Sequence, residues 1–230
     1  MSAKFIFRLV VRFILALAVF AGFLFLPAWT LRWWRAWVFI GVFALASVLT
    51  MAPLLAGNEE LIRERLKPPI QKGQPLADKI VLVLYLAAFY AQLIFIPVDV
   101  FYLHLLRKPG VIISSLGMPL FLAGWTIMTL AIRENRFAAI VVRHQAERQQ
   151  VVVDTGIYSV VRHPMYSALL GVASGIALWL ESYAAALFTI VPMGLLVLRA
   201  FFEESFLKRE LPGYAAYTER VRYRFIPFLW

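Results

Sequence analysis

The chain is organised around one polar stretch, Asp154-Thr-Gly-Ile-Tyr-Ser-Val-Val-Arg162-His163-Pro164-Met-Tyr166, in a sequence that is otherwise mostly apolar. Arg162 and His163 have side chains suited to binding an ion or moving a proton. Pro164 marks the start of a helix, because proline is favoured at the first helical position. Two apolar runs follow, Pro164 to Leu180 and Tyr183 to Phe202, separated by two polar residues. We therefore predict an antiparallel helical hairpin that begins at this stretch.

The predicted hairpin has a consequence for residues at its two ends. It returns the chain to the level at which it began, so Glu203 and Glu204 are expected beside Arg162 and His163, about forty residues away in sequence. Arg199 lies one turn inside the second apolar run, where an arginine is costly unless it is paired or lines a cavity. Glu203, four residues further on, is its expected partner. The sequence thus predicts a cluster of charges of both signs at one end of the bundle.

The composition indicates an integral membrane protein. Hydrophobic residues make up 62% of the 230 residues and the mean hydropathy is +0.78, against roughly 45 to 50% apolar residues in a soluble domain. No cysteine is present, which excludes disulfides, thiolate metal sites and a cysteine nucleophile. The net charge of +10 does not favour a nucleic-acid partner, because the basic residues lie at the ends of apolar runs.

Six apolar segments approach the roughly 20 residues that a helix needs to cross hydrocarbon, and the fifth is the shortest. We therefore predict an all-α fold, a polytopic membrane helix bundle of about six transmembrane helices with a C-terminal helical hairpin. The segments are Leu9 to Ala28, Trp37 to Leu55, Ile80 to Val100, Val111 to Ile132, Pro164 to Leu180 and Tyr183 to Phe202.

The distribution of lysine and arginine predicts the orientation. An even number of helices places both termini on one side, and most basic residues lie in the termini and in the second and fourth loops. The opposite side has Arg32, Arg35, Arg107 and Lys108. Because positive residues are enriched in cytoplasmic loops, we expect both termini and the polar site to be cytoplasmic. The first run is too long for a signal peptide and is expected to be a retained helix.

The connector between the second and third segments suggests a domain boundary. A charged stretch, Glu59 to Lys67, predicts a short surface helix, and prolines and glycine after it predict turns. We therefore predict that residues 1–79 form an N-terminal transmembrane helix pair with a cytoplasmic connector. Residues 80–230 would then form the core, with the site within residues 133–230.

The polar cluster has the chemistry expected for a zwitterionic ligand with an additional positive centre. The helix beginning at Pro164 offers backbone N–H groups to a carboxylate or phosphate, and Arg162 offers a bidentate contact. Carboxylates suit an ammonium or a sulfonium, and the rings of Tyr158 and Tyr166 suit a cation. Each residue also has a structural interpretation, such as His163 capping the helix, but their convergence favours a site.

Several motifs in this order resemble the isoprenylcysteine carboxyl methyltransferase family, which is related to the phospholipid methyltransferases. The resemblance covers Arg133 to Trp230. Its motifs are Arg133-Glu-Asn-Arg-Phe137, Gln150-Val-Val-Val-Asp-Thr-Gly-Ile-Tyr158, Arg162-His-Pro-Met-Tyr166, Arg199-Ala-Phe-Phe-Glu-Glu204 and the closing Gly213-Tyr-Ala-Ala-Tyr217 to Arg222-Tyr-Arg-Phe-Ile-Pro227. The resemblance implies a membrane enzyme that uses S-adenosylmethionine on the cytosolic side and takes a lipophilic acceptor from the bilayer.

The positions that match the family's motifs imply a set of cofactor-site residues in this sequence. They are Tyr158, Arg162, His163, Tyr166 and Glu204, with Gly156, Pro164 and Glu203 shaping the site. Gln150 is included as a further cofactor contact. It stands where the eukaryotic isoprenylcysteine enzymes have a histidine, so the acceptor can differ from a prenylcysteine carboxylate.

The expected acceptor chemistry is methylation of oxygen or sulfur. Arg199, Glu203 and Arg222 are the candidate catalytic residues, and either arginine is placed to orient an acceptor carboxylate. No metal is expected, because in-line transfer from a sulfonium needs alignment above all. The alternatives are a phospholipid N-methyltransferase, a sterol-reductase-like enzyme using NADPH, and a non-catalytic membrane scaffold. The expected partners are membrane lipids and a lipophilic or prenylated substrate, without nucleic acid.

Overall fold

The computed structural model describes residues 3–57, 59–71, 73–142, 145 and 148–229. The regular secondary structure of these residues is helical, with no strand. The helices are α1 (Ala3–Ala28), α2 (Trp34–Gly57), α3 (Glu59–Arg65), α4 (Leu76–Val98), α5 (Val111–Glu134), α6 (Pro164–Trp179), α7 (Tyr183–Phe188), α8 (Ile190–Glu210) and α9 (Tyr214–Arg220). A π-helical turn, Asp99–Leu103, extends α4, and a 3₁₀ turn, Gly156–Ser159, precedes α6. The all-α polytopic bundle predicted from the sequence is confirmed.

Five apolar helical runs in the described part of the chain are long enough to cross a membrane. They are Lys4–Ala28, Trp34–Met51, Leu76–Leu103, Val111–Glu134 and Tyr183–Glu210. The fifth predicted segment forms α6, which has 16 residues and is therefore about 24 Å long at 1.5 Å per residue. This helix is apolar but shorter than the roughly 30 Å hydrocarbon core.

The sixth predicted segment is two helices and not one. Helix α7 ends at Phe188 and α8 begins at Ile190. Pro192 lies in the first turn of α8. Its missing N–H costs no hydrogen bond within α8, because the N–H groups of the first turn have no partner inside their helix. For the same reason Pro192 cannot donate the hydrogen bond that would continue α7 into α8. The helix also extends past the predicted end at Phe202 to Glu210. The predicted surface helix in the connector is confirmed as α3.

The chain divides into two compact units. The first consists of Met1–Glu59, Phe89–Phe121 and Ala173–Thr189, and the second of Glu60–Ala88, Leu122–Val172 and Ile190–Trp230. The division of the sequence into residues 1–79 and 80–230 stays a prediction.

A buried charge cluster links the segments of the first unit. Arg35 is 6% exposed, and its Nε atom lies 3.2 Å from Oε1 of Glu181. Its two terminal nitrogens donate to the Trp179 carbonyl at 2.9 Å and to the Ser114 hydroxyl at 3.1 Å. Lys108 lies 2.5 Å from Oε2 of Glu181. Because both carboxylate oxygens have a cationic partner, the turn after α6 is tied to α2 and to the start of α5.

Small residues allow close backbone approach between α5 and α6 within each unit. A Cβ atom placed on Gly175 would lie 2.5 Å from the backbone nitrogen of Phe121 in the first unit. A Cβ atom on Gly124 would lie 2.7 Å from the carbonyl oxygen of Ala168 in the second unit. Such contacts are typical of helix packing in membranes, where association depends on van der Waals contact between closely spaced backbones.

Candidate functional site

A buried ion-pair network joins the start of α6 to α8. Arg162 donates from Nε to Oε1 of Glu204 at 2.7 Å and from Nη2 to Oε2 at 3.3 Å. The ring nitrogen Nε2 of His163 lies 3.0 Å from Oε1 of the same carboxylate. Arg162, His163 and Glu204 are 7%, 6% and 4% exposed. The structure thus brings together the residues that the hairpin argument predicted to meet.

The C-terminal tail completes this network through its backbone. Nη1 of Arg162 donates to the carbonyls of Val221 at 2.6 Å and Arg222 at 3.0 Å. The backbone N–H groups of Arg162 and His163 donate to the carbonyls of Tyr223 and Arg224 at 3.0 and 2.8 Å. Every nitrogen of the Arg162 guanidinium therefore has a protein partner. That Arg162 and the N–H groups of the helix beginning at Pro164 contact a ligand stays a prediction.

A second carboxylate, Glu203, lies near the other ring nitrogen of His163, with Oε2 3.9 Å from Nδ1. The Tyr166 hydroxyl donates to Oε2 of Glu203 at 2.6 Å. The rings of His163 and Tyr166 stack with centroids 5.2 Å apart and an interplanar angle of 6°. The Glu203 side chain is 26% exposed, against 5% for Glu204. Of the two adjacent glutamates, Glu203 is the one accessible to a ligand.

Arg199 is paired with an aspartate that sequence reasoning did not identify. Its Nε atom donates to Oδ1 of Asp78 at 2.7 Å, and Nη2 donates to the Ile140 carbonyl at 2.6 Å. Glu203, the partner expected from helical spacing, instead accepts the Tyr166 hydroxyl. A signal for Asp78 existed in the sequence, since a buried arginine requires a carboxylate. The separation of 121 residues left no local pattern to pair them.

Several of these residues line an open cleft in the second unit. The polar and aromatic lining includes Asn135, Phe137, Gln145, Gln150, Tyr158, Arg162, His163, Tyr166, Arg199, Glu203, Tyr214 and Tyr217. Apolar lining comes from Val141, Val142, Val151–Val153, Leu207 and Leu211. The mixed lining suits a ligand with both charged and flat apolar parts.

The cleft includes most of the residues predicted for the site. Gln150, Tyr158 and Pro164 line it, and Gln150 accepts a hydrogen bond from the backbone of Gln145 at 2.8 Å. Glu204 and Gly156 are not among its lining residues. Gly156 is in a left-handed turn with φ of 53°, where a Cβ atom would lie 2.7 Å from the Glu134 carboxyl group.

Arg222 is the candidate catalytic residue that lies outside the cleft lining. Its side chain is exposed and does not line the cleft, although its carbonyl supports Arg162. The irregular tail therefore contributes backbone acceptors, a role that carries no side-chain signature in the sequence.

Two tyrosines of α9 also line the cleft. Tyr214 and Tyr217 are 6% and 2% exposed and pack with Leu211 and Val221. The Tyr217 hydroxyl donates to the Tyr158 carbonyl at 2.8 Å. Burial raises the pKa of Tyr158, Tyr214 and Tyr217 above the ordinary value of 10.0. All three phenols are therefore neutral at physiological pH and present hydroxyl groups and uncharged rings.

Comparison with known proteins gives a match in the part of the chain that contains most of the cleft residues. No curated protein matches the sequence. Residues 112–212 match the family model described as phospholipid methyltransferase. The match begins in α5, includes the polar stretch before α6 and ends just after α8, and it covers a little under half of the chain. It supports a relationship to the broader group of membrane methyltransferases, without singling out the isoprenylcysteine member.

Proposed function

We propose that this chain is an integral membrane methyltransferase that uses S-adenosylmethionine and methylates an oxygen or sulfur atom of a lipophilic acceptor. An isoprenylcysteine-type carboxylate is the proposed example of such an acceptor. The single observation that carries the proposal is the position of Glu203 and Tyr166 in the cleft, within the region that matches the methyltransferase family model.

The residues of the cleft fit the proposed cofactor. S-adenosylmethionine, when bound, would supply a methyl group on a positively charged sulfur: a nucleophile attacks the methyl carbon in line, and the sulfur leaves as a neutral thioether. The partly exposed carboxylate of Glu203 suits an ammonium or sulfonium. The neutral rings of Tyr158, Tyr166 and Tyr214 offer faces to a cation or to an aromatic base.

The Arg162, His163 and Glu204 network has a positioning role in this proposal. Its members satisfy one another and the tail carbonyls, so they fix the start of α6 against α8 and hold Tyr166 beside Glu203. Alignment of reacting groups contributes as much as about 7 to 11 kcal/mol in well-oriented model reactions. We therefore assign the direct contact with the positive end of the cofactor to Glu203, and not to Glu204 as the resemblance implies.

The acceptor atom follows from the bases that the cleft offers. An ammonium must lose a proton before it is nucleophilic, whereas a carboxylate is nucleophilic as it stands. Among the described residues that line the cleft, His163 is the only histidine, and its Nε2 atom lies within hydrogen-bonding distance of Glu204. This arrangement favours an acceptor that is already anionic and supports methylation of oxygen or sulfur.

A second candidate is N-methylation of a phospholipid headgroup, because the matching family model is described as phospholipid methyltransferase. A transfer assay separates the two. Purified protein in lipid nanodiscs is supplied with methyl-labelled S-adenosylmethionine and, separately, with a prenylcysteine analogue, phosphatidylethanolamine or a small thiol. We expect base-labile label on the prenylcysteine carboxylate. Label on phosphatidylethanolamine alone would favour the second candidate, and no label on any acceptor would oppose both.

A further inference from the structure

Arg199 is buried within a membrane helix and yet faces the cleft. It is 6% exposed and is one of the residues lining the cleft. An arginine in such a place is costly unless it is paired or lines a polar cavity. Arg199 does both, since Nε and Nη2 have partners in Asp78 and Ile140.

Asp78 acts as a fixed support for this arginine. It is 1% exposed, and its Oδ2 atom accepts from Gln74 Nε2 at 2.6 Å and from the Val142 backbone at 3.0 Å. Its other oxygen, Oδ1, accepts from Arg199 at 2.7 Å. Because both carboxylate oxygens are engaged and Asp78 is buried outside the cleft lining, Asp78 orients the Arg199 guanidinium and does not itself face the ligand.

The remaining terminal nitrogen of Arg199 has no hydrogen bond to any residue that the structure describes. Glu203, four residues further along the helix, accepts from the Tyr166 hydroxyl and not from Arg199. In the other arginine lining the cleft, Arg162, all three guanidinium nitrogens are engaged by Glu204 and the tail carbonyls. Of the two described arginines in the cleft wall, Arg199 is therefore the one with an entire terminal nitrogen, Nη1, without a hydrogen bond to the described residues.

We propose that Arg199, aligned by Asp78, is the anion-recognition group of the cleft and donates its free nitrogen to a carboxylate or phosphate of the bound ligand. Asp78 is a positioning residue in this proposal. The inference rests on the proposed function, in which two ligands bring an anion: the cofactor has its amino-acid carboxylate, and a lipophilic acceptor has its own acidic group.

Two binding arms distinguish these sources. In the first, calorimetry in detergent compares S-adenosylhomocysteine with 5′-methylthioadenosine, which lacks the amino-acid portion. It also compares S-adenosylmethionine with decarboxylated S-adenosylmethionine, which lacks the carboxylate alone. In the second, myristate is compared with the neutral myristyl alcohol. Both arms use wild type, Arg199→Gln, Arg199→Lys and Asp78→Asn, with Arg209→Gln as control because Arg209 is exposed on the same helix.

The proposal predicts an anion-specific loss. Arg199→Gln should weaken the carboxylate-bearing ligand of one arm about 10- to 100-fold, the range expected for loss of a charge-assisted hydrogen bond. The matched ligand without the carboxylate should bind as it does to wild type. Arg199→Lys should recover part of the affinity, and Asp78→Asn should cause a smaller loss because the guanidinium keeps its charge but loses its alignment.

Folding is checked separately, since Arg199→Gln leaves Asp78 buried without its cation. The double variant Arg199→Gln with Asp78→Asn removes both charges and should still show the anion-specific loss. Equal affinity of the folded double variant and wild type for both carboxylate ligands would overturn the proposal. If wild type fails to bind S-adenosylhomocysteine, the proposed function fails, and the role of Arg199 is judged on the myristate arm alone.

Discussion

Nε of Arg162 lies 2.7 Å from Oε1 of Glu204, although 42 residues separate them. Both side chains are 5% exposed, so the pair is shielded from water and from salt. The contact closes the polar end of the α6 and α8 pair and sets the position of His163, whose ring also reaches Glu204. It is thus the structural support for the cleft beside it.

Loss of the Glu204 charge should destabilise the protein. Glu204→Gln leaves the buried Arg162 without its counter-charge, and removing one member of a buried pair costs about 3–5 kcal/mol. Unfolding in mixed micelles, followed by circular dichroism, measures the free energy of unfolding. Glu210→Gln is the control, because Glu210 is exposed at the end of the same helix. Equal stability of Glu204→Gln and the control would contradict the supporting role.

Close packing of α5 and α6 should make Gly175 intolerant of a side chain. A Cβ atom there would lie 2.5 Å from the backbone of Phe121, whereas a Cβ atom at Gly194 would meet nothing within 4 Å. We expect Gly175→Ala to cost about 1–3 kcal/mol, as overpacking usually does. Gly194→Ala should be neutral or slightly stabilising, since alanine is the better helix former. Thermal unfolding in detergent compares the two variants, and similar midpoints would be inconsistent with this packing.

The cluster around Glu181 should stabilise the first unit. Glu181→Gln removes the negative charge that pairs with both Arg35 and Lys108, and it leaves Arg35 buried without a counter-charge. Lys108→Gln leaves the buried Arg35 and Glu181 pair intact and removes a lysine whose side chain is 64% exposed. We therefore expect a clear loss of thermal stability for Glu181→Gln and little change for Lys108→Gln, because an exposed ion-pair partner contributes about 0–1 kcal/mol. The opposite order would show that the lysine contact dominates.

The buried tyrosines predict how stability changes at high pH. The pKa values of Tyr158, Tyr214 and Tyr217 are raised by burial above 10.0 in the folded state. Below pH 10 the phenols are protonated in the folded and unfolded states alike, so their contribution to the free energy of unfolding is fully present. Above it the unfolded chain releases these protons first, and the free energy of unfolding falls as pH rises.

A tyrosinate absorbance titration checks this expectation. In the folded protein, fewer than the nine tyrosines should ionise before unfolding, whereas all nine should ionise in denaturant. Tyr217→Phe should leave the folded-state step unchanged and reduce the step that accompanies unfolding. A smaller folded-state step in Tyr217→Phe would mean that this phenol ionises in the native protein.

The sequence predicts the fold because hydrophobic segment length and polar punctuation are local properties. Pro164 marks the start of α6, and the two polar residues after Leu180 mark the turn that brings Glu204 back to Arg162. The break at Thr189 is less visible, because α7 and α8 together are one continuous apolar run. Only the position of Pro192 distinguishes the end of one helix from the start of the next.

The site is predicted less completely because its decisive contacts are long-range or made by backbone. Asp78 meets Arg199 across 121 residues, and no spacing rule connects the first turn of α4 to α8. The carbonyls of Val221 and Arg222 accept hydrogen bonds from Nη1 of Arg162. Every residue has a backbone carbonyl, so the sequence does not indicate which ones make such contacts. These contacts shift the proposed ligand-facing roles from Arg162 and Glu204 to Arg199 and Glu203.

Binding of S-adenosylhomocysteine to the purified protein tests the central claim most directly. Calorimetry in detergent should show one site per chain for wild type. Glu203→Gln should bind at least about tenfold more weakly, the loss expected for one charge-assisted contact, while keeping the wild-type melting temperature. Absence of binding by folded wild-type protein, or equal binding by wild type and Glu203→Gln, would contradict the account.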